Sequence, residues 1–414
     1  VTLRPYQQHV VDAVRASVAS GRWAPLVVMP TGTGKTRTAA AIVRAHAGPA
    51  LWVAPRIELV GQAREQLDGT GCIVATNQSL LDADVPASSL VIWDEAHHAA
   101  GAKWSELRAK LPAAVFVGLT ATPERGDGRG LGGIFDDLIV GITVKDAVAQ
   151  GHLVPAEVLR PDRALGAGEL AQHPVDAYLE HARGTQAIVF ASTVALAEEY
   201  ADLYKSRGVA AACVHGDLPS PLRAAALADY SARRVQVLTS VAVLTEGFDA
   251  PLTETVILAR GFGTPGGYLQ AVGRGLRPSP GKTRCLVLDL RGCSHDHGEP
   301  DDARIYSLDG KAIRRAEDEQ LRFCPVCGMP TTTTACEQCG YEGELRLRKP
   351  RVLGLPMQRF ARVRQDDTEA RAARLRKWLG EARAKGHKPG AAMHRFKAVY
   401  GRWPTTDILA RARQ

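Results

Sequence analysis

The chain has 414 residues, 45% apolar and 23% charged, with a formal net charge of +8. These fractions exclude a disordered or collagen-like chain, and the length predicts two or three domains. No apolar run reaches the roughly 18 residues of a membrane span, and residues 1–6 lack a signal-peptide shape, so a cytoplasmic protein with no membrane partner is expected.

Charge and cysteine are unevenly spread. From Gly340 onward there are about 19 Lys/Arg against about 7 Asp/Glu, which leaves the preceding part slightly acidic. A near-neutral body with a basic tail predicts a polyanionic partner. Four of the eight cysteines form two C-x-x-C pairs, which in such a compartment points to a metal rather than to disulfides.

In chain order, Leu3 to Gln7 opens a helix with Pro5 in its first turn, and Val10, Val11, Val14 and Val18 recur at helical spacing. Gln7 is placed to read an adenine edge, because its amide both donates and accepts. The apolar run Leu26 to Met29 then leads into Pro30-Thr31-Gly32-Thr33-Gly34-Lys35-Thr36, followed by a helical run to His46. Strand, glycine-rich loop and helix make a phosphate cradle: the loop lets backbone N–H groups curl around an anion, and the helix start adds unpaired donors. Lys35 is expected on the β- and γ-phosphates of ATP, and the Thr36 hydroxyl on Mg²⁺. Met29 stands where the G-x-x-x-x-G-K-[ST] pattern writes its first Gly.

Short apolar strands are predicted at 50–54, 72–75, 90–93 and 114–119, alternating with helices. This pattern predicts a parallel sheet covered on both faces, with ligands at the carboxyl ends of the strands. Asp94 and Glu95 stand at one such end. Asp94 suits Mg²⁺ as a hard oxygen ligand, and Glu95 suits orientation or deprotonation of an attacking water.

A second alternating series runs through 187–191, 212–214, 235–240, 255–259 and 285–290, without a phosphate loop of its own. Gln270, Arg274 and Arg277 follow at i, i+4 and i+7, a spacing that places all three on one helix face. Arginines reaching across an interdomain cleft neutralise charge on a transferred phosphoryl group.

The ordered set Arg4-Pro5-Tyr6-Gln7, Pro30 to Thr36, Pro55-Arg56-x-Glu58-Leu59, Asp94-Glu95-Ala96-His97, Thr120-Ala121-Thr122-Pro123, Thr245 to Pro251 and Gln270-x-x-Gly273-Arg274-x-x-Arg277 resembles the motifs of superfamily 2 helicases over residues 1–290. The resemblance implies two tandem RecA-like α/β domains with parallel sheets, an ATP site completed by the second domain, and catalytic roles for Lys35, Asp94, Glu95, Gln270, Arg274 and Arg277. It implies that Arg4, Gln7, Thr31, Gly32, Thr33, Gly34, Lys35, Thr36, Gly247 and Asp249 lie around the nucleotide. It also implies nucleic-acid backbone contacts from Arg56, Thr76, Gln78, Ser192, Thr239 and Ser240, residue types suited to sequence-blind phosphate binding. Glu246 and Gln270 replace an Arg and a His typical of DEAD-box RNA helicases, which argues against that branch.

Cys324, Cys327, Cys336 and Cys339 form C-x-x-C, eight residues, C-x-x-C, the spacing of a structural Zn²⁺ ribbon with Thr331 to Thr334 at its tip. The histidines of Cys293 to His297 are expected in a surface loop. Asp366 to Arg383 and Ala391 to Tyr400 are predicted helices. Phe396, Val399 and Tyr400 among basic residues suit either a nucleic-acid surface or a packed helical hairpin. Lys388-Pro389-Gly390, Phe396-Lys397 and Gly401-Arg402-Trp403-Pro404, with the stretch Asp289 to Gly310, are similar to RadD-like bacterial and phage DNA helicases. Ala391 stands where that group often has Trp.

The expected organisation is an ATP-binding domain at 1–158, a second RecA-like domain at 159–295, connector and zinc ribbon at 296–345, and a basic helical tail at 346–414. The expected activity is an ATP-dependent DNA helicase or translocase in repair or recombination, a monomer acting on single-stranded or branched DNA with a recombination or single-strand-binding protein partner. A nucleotide-switched binding module and an RNA-directed helicase are the alternatives.

Overall fold

The structure is a computed structural model that describes residues 2–55, 57–76, 78–80, 85–98, 102–123, 130–241, 250–302, 304, 306–309, 322–323, 330–331, 346–347, 350–359, 368–384, 392–393, 409 and 412. Residues Val1–Arg359 form one compact unit and Phe360–Gln414 a second.

The first lobe comprises α1 (Pro5–Ala19), β1 (Pro25–Val28), α2 (Lys35–Ala45), β2 (Ala50–Ala54), α3 (Ile57–Gln66), β3 (Ile73–Thr76), β4 (Leu90–Trp93), α4 (Ala102–Lys110), β5 (Val115–Thr120), β6 (Asp137–Val140) and α5 (Val144–Ala149). Pro5 fixes the first turn of α1, and the Gln7 side chain accepts from the Arg4 N–H, satisfying one donor that the helix start leaves open. The sheet order is β3-β2-β4-β5-β1-β6, and every pair is parallel. β1, β2, β4 and β5 are buried along their whole length, as strands covered on both faces must be.

One face of this sheet is held by aromatic packing. Trp104 of α4 stands edge-on to Trp93 and Phe116, both with ring centroids at 5.0 Å, and tilts against Phe135 at 5.1 Å. Gly118 makes room for it, because a Cβ there would lie 2.5 Å from the Phe135 ring. The cluster fixes β4, whose carboxyl end carries Asp94.

The second lobe comprises β7 (Ala156–Arg160), β8 (Glu169–Leu170), α6 (Pro174–His181), β9 (Ala187–Ala191), α7 (Val194–Ser206), β10 (Ala211–Val214), α8 (Ser220–Ser231), β11 (Val237–Ser240), β12 (Thr255–Ala259), α9 (Pro265–Gly273), β13 (Cys285–Asp289) and α10 (Ser294–His297). Its sheet has the order β10-β11-β9-β12-β13-β7-β18, where β18 is Gln358–Arg359 and pairs antiparallel to β7.

The expectation of a surface loop at 293–297 is corrected. Asp289, fully buried, accepts from the N–H of Cys293 and of Ser294 and from the Ser294 hydroxyl at 2.7–2.8 Å. His297 bonds the Phe262 carbonyl at 2.7 Å, and His295 bonds the Pro161 carbonyl at 2.8 Å. His297 is buried and is an internal fastening, whereas His295 stays exposed while it bonds its carbonyl. Arg304 closes the next loop by donating to the carbonyls of His297, Glu299, Pro300 and Asp302. The chain then returns to the first lobe, where the Leu308 carbonyl accepts the Gly132 N–H at 2.8 Å and its side chain packs against the aromatic cluster.

Beyond it, β14 (Arg322–Phe323) pairs antiparallel with β15 (Pro330–Thr331) and with β16 (Arg346–Leu347). Thr331 therefore lies in a strand rather than at a tip. Cys324, Cys327, Cys336 and Cys339 lie outside the described residues. The expected helical tail does not begin at 346: β16, β17 (Arg351–Val352, parallel to β8) and β18 are extended, as Pro350, Gly354 and Pro356 require. In the second unit, α11 (Thr368–Ala384) buries Ala372, Leu375, Trp378 and Ala382 with Ala392 and Ala412. Lys377 and Arg383 are exposed. Phe396, Val399 and Tyr400 lie outside the described residues. No helix among the described residues is long and apolar enough to cross a membrane.

Replacing Trp104 by Ala should destabilise the first lobe by about 3–5 kcal/mol, as measured by chemical denaturation, since three aromatic partners lose their filler.

Candidate active site

The phosphate loop leaves β1 and enters α2 through Gly32 and Gly34, at φ +86° and +85°. Both are left-handed positions that a side chain would strain. The Thr33 hydroxyl donates to the Pro30 carbonyl at 2.7 Å, closing the loop on itself. From α1, Tyr6 Oη and Gln7 Nε2 both donate to the Thr33 carbonyl, at 2.7 and 3.2 Å. Gln7 is 1% exposed, with its carbonyl end on Arg4 and its amide end on Thr33, so here it braces the loop instead of facing the cavity. Met29 departs from the glycine pattern for a visible reason. Its N–H still bonds the Thr120 carbonyl in the sheet, and its side chain is buried beside Gly141, so the loop starts only after it.

Asp94 and Glu95 follow β4 and are 4% and 7% exposed. Glu95 has φ +46°, an unfavourable backbone for a residue with a side chain, of the kind that clusters at functional sites. Its N–H donates to Asp94 Oδ1 at 3.0 Å. Glu95 Oε1 stands 4.0 Å from Lys35 Nζ, which also reaches the Met29 carbonyl at 3.5 Å. Among the described residues Glu95 Oε2 is buried without a hydrogen-bond donor, with His97 Nδ1 standing 3.5 Å away. A buried acceptor left open, beside an ammonium held by one carbonyl, fits a site built for further polar occupants. Among the described residues no group of three His, Cys, Asp or Glu could hold a metal unaided. Mg²⁺ needs none, because it takes one or two protein oxygens and completes its shell with phosphate and water. Thr36 and Asp94, on the wall of the cavity described next, carry oxygens of that kind.

The second lobe meets this site directly. Thr31, Gly32, Gly34, Lys35, Thr36, Asp94, Glu95, Arg274 and Arg277 line one cavity of about 750 Å³. Two glycines allow the approach. A Cβ on Gly32 would lie 2.9 Å from Arg277 Cγ, and a Cβ on Gly273 would lie 2.8 Å from Thr31 Cβ. The expectation of three residues on one helix face is corrected: α9 ends at Gly273, Arg274 is its cap, and Arg277 lies in the turn beyond. Gly273 and Gly275 flank the cap and lower helix propensity there.

Gln270 is not among the cavity-lining residues. Its amide donates to His97 Nε2 across the cleft at 3.4 Å, which puts the ring proton on Nδ1, facing Thr120 Oγ1 at 3.2 Å and the Glu95 carboxylate. Thr120 in turn donates to the Thr122 carbonyl at 2.6 Å. The roles of His97 and Thr120 were visible only as members of motifs. What joins them is tertiary, and no spacing rule reaches it. Leu59, the last residue of the Pro55-Arg56-x-Glu58-Leu59 motif, also lines the cavity, as do Arg37, Glu65 and Gln66, which carried no sequence signal.

The expected strand contacts are mixed. Gln78 is exposed, while Thr76 and Ser192 are half-buried. Thr239 is fully buried and donates to the Ala197 carbonyl at 2.6 Å, so its hydroxyl fastens α7 and is not presented to a strand. Ser240 is fully buried, with no partner for its hydroxyl among the described residues. Arg56, Gly247 and Asp249 lie outside the described residues.

Two family models match these lobes. Residues 1–73 and 68–125 match the type III restriction enzyme res subunit, and residues 171–279 match the helicase conserved C-terminal domain. A 51.5 kDa protein of Lactococcus phage (isolate 7-9) is 27% identical over 77% of this chain and 78% of its own length. A Halobacterium salinarum protein described as the DNA 3′-5′ helicase Rad25 is 28% identical over 77% of this chain. This chain spans 58% of that relative's length. Among solved structures, a fragment described as the HsdR subunit of a type I restriction enzyme from Vibrio vulnificus YJ016 is 25% identical, with a TM-score of 0.59 over 75% of this chain and 70% of that one.

Gly273→Ala should lower the ATPase kcat by about 10- to 100-fold while leaving the thermal midpoint unchanged or higher. Alanine favours the helix but pushes on Thr31, and misplacement on the scale of an ångström is that costly.

Proposed function

We propose that this chain, which belongs to the superfamily 2 helicases, is an ATP-driven motor on DNA that couples hydrolysis to movement along a strand or to its separation. The observation that carries the reading is the shared cavity, in which Lys35, Asp94 and Glu95 of one lobe face Arg274 and Arg277 of the other. Lys35 and the N–H groups of residues 32–36 hold the phosphates of ATP, with Thr31 and Thr33 shaping the loop, Gln7 bracing it from α1 and Arg4 on the adenine side. Thr36 and Asp94 hold Mg²⁺, which when bound neutralises phosphate charge. Glu95 orients the attacking water and accepts its proton. Arg274 and Arg277 neutralise the charge that develops on the transferred group, and such cations are worth about 10³–10⁵ in rate. Gln270 acts through His97, and the motif likeness gives Gly247 and Asp249 a role toward the nucleotide.

DNA rather than RNA is favoured by Glu246 and Gln270, which replace residues typical of RNA-directed relatives, and by the DNA helicase description of the Halobacterium protein. The RadD-like connector and tail support a role in repair or recombination, as a monomer on single-stranded or branched DNA with a recombination or single-strand-binding protein partner. The domain limits proposed above follow the same likeness.

The reading of a Zn²⁺ ribbon at Cys324, Cys327, Cys336 and Cys339 draws on three short antiparallel strands, of which β14 and β15 flank the first pair and β15 and β16 the second. The remaining thiols are poor ligands. Burial pushes Cys72 up to about 11 and Cys285 up to about 12, and raises Cys213 and Cys293 as well.

Lys35→Ala should abolish DNA-stimulated ATPase in a protein that still folds by circular dichroism; full activity in that variant would sink the site assignment. Single-stranded DNA should stimulate the wild type more than single-stranded RNA, and the reverse order would move the substrate to RNA. The purified protein should carry about one zinc per chain by elemental analysis, and Cys324→Ser should lose it.

A further inference from the structure

Arg277 has no helix to hold it. α9 stops four residues earlier, and the intervening turn contains Gly275. A side chain that must meet phosphate oxygens across a cleft needs its own main chain fixed. Two contacts do this. The Leu276 carbonyl accepts the Val154 N–H at 2.9 Å, from the linker between the lobes. The Arg277 carbonyl accepts from Lys282 Nζ at 2.7 Å.

We propose that Lys282 is a positioning residue for Arg277, its ammonium pinning the Arg277 peptide so that the guanidinium is presented to the phosphates. The inference rests on the role given to Arg277 above. The turn is built for it: Lys282 N–H bonds the Ser279 carbonyl at 3.0 Å, and Gly281 at φ +80° turns the chain back so that the side chain runs toward Arg277. The same ammonium donates to the Pro251 carbonyl at 3.3 Å. Pro251 closes the Thr245 to Pro251 motif, so one cation joins the two segments of the second lobe assigned to the nucleotide. Its partners among the described residues are these two carbonyls, and burial lowers its pKa from the usual lysine value. A half-buried cation whose hydrogen bonds among the described residues go to main-chain oxygens, with only the longer-range charge of Glu254 to favour it, is an expensive way to close a surface turn, and a turn alone needs none. Holding a second cation in place gives it a reason.

The test compares full-length Lys282→Met, Lys282→Arg, Arg277→Ala and the Lys282→Met/Arg277→Ala double variant in DNA-stimulated ATPase assays, with thermal midpoints recorded. Met keeps the stem without the donors, and Arg keeps the donors. Lys282→Met should lose roughly tenfold or more in kcat, the scale of one charge-assisted hydrogen bond, with the KM for ATP and the affinity for single-stranded DNA unchanged. Lys282→Arg should retain most of the activity. The double variant should be no slower than Arg277→Ala alone, because a positioning residue has nothing left to position. A wild-type kcat in Lys282→Met, or losses that multiply in the double variant, would overturn the inference. If Lys282→Met does not fold, Lys282→Gln, which keeps one donor direction, is read the same way. If Arg277→Ala itself hydrolyses ATP at the wild-type rate, the role of Arg277 fails and this inference with it. A slow Arg277→Ala beside an unaffected Lys282→Met would misassign Lys282 alone.

Discussion

The closeness of the two lobes rests on missing side chains. Gly32 in the phosphate loop and Gly273 at the end of α9 each face the opposite lobe across a space that a single methyl group would overfill. Everything chemical in the cleft depends on that spacing. Arg277 reaches the phosphate loop because its methylene stem lies over Gly32, where any Cβ would displace it. Gly32 is doubly constrained, since its left-handed backbone also excludes an ordinary side chain. Gly273 is helical and owes its identity to Thr31 alone.

Polar contacts then join one lobe to the other. Glu95 faces His97, His97 accepts from Gln270, and Thr120 supports the ring from the end of β5. Because Gln270 can only donate through its amide nitrogen, the imidazole proton is committed to the first-lobe side. The acid proposed to handle water and the helix that ends at the arginines are thus joined by one ring. An occupant that moves Glu95 changes a contact of α9, which is the kind of coupling a nucleotide-driven machine requires.

How much of this was legible beforehand varies with the kind of signal. The central strands β1, β2, β4, β5, β9, β12 and β13 could be read because they are continuous apolar runs. β6 was missed because it is an edge strand with only Ile139 buried in it. β7 was missed because Glu157 and Arg160 interrupt its apolar residues; their charges are met by Arg284 at 2.7 Å and by Glu299 at 3.6 Å, partners far away in the chain. The end of α9 was misread because periodicity registers side chains, whereas Gly273 and Gly275 act through their absence. Residues 293–304 looked like a loop by composition, and only the buried carboxylate of Asp289 and the carbonyls of Phe262 and Pro161 explain their polar content. The lining of the cavity was legible where a local motif marks it, as at Lys35 and Asp94, and illegible where contacts are assembled from afar, as between Gln270 and His97.

The Leu308 contact has a mechanical meaning. The lobes are joined once through the linker at 150–155 and again where Leu308 docks beside Gly132. Between the Arg304 anchor and Leu308 only four peptide units remain, at most about 14 Å when stretched. A body attached to another at two separate points loses most of its freedom to slide or tumble and keeps chiefly rotation about the line between them. Any opening of the cleft made while that second attachment holds would be confined to a swing on two pins, returning the arginines along one arc.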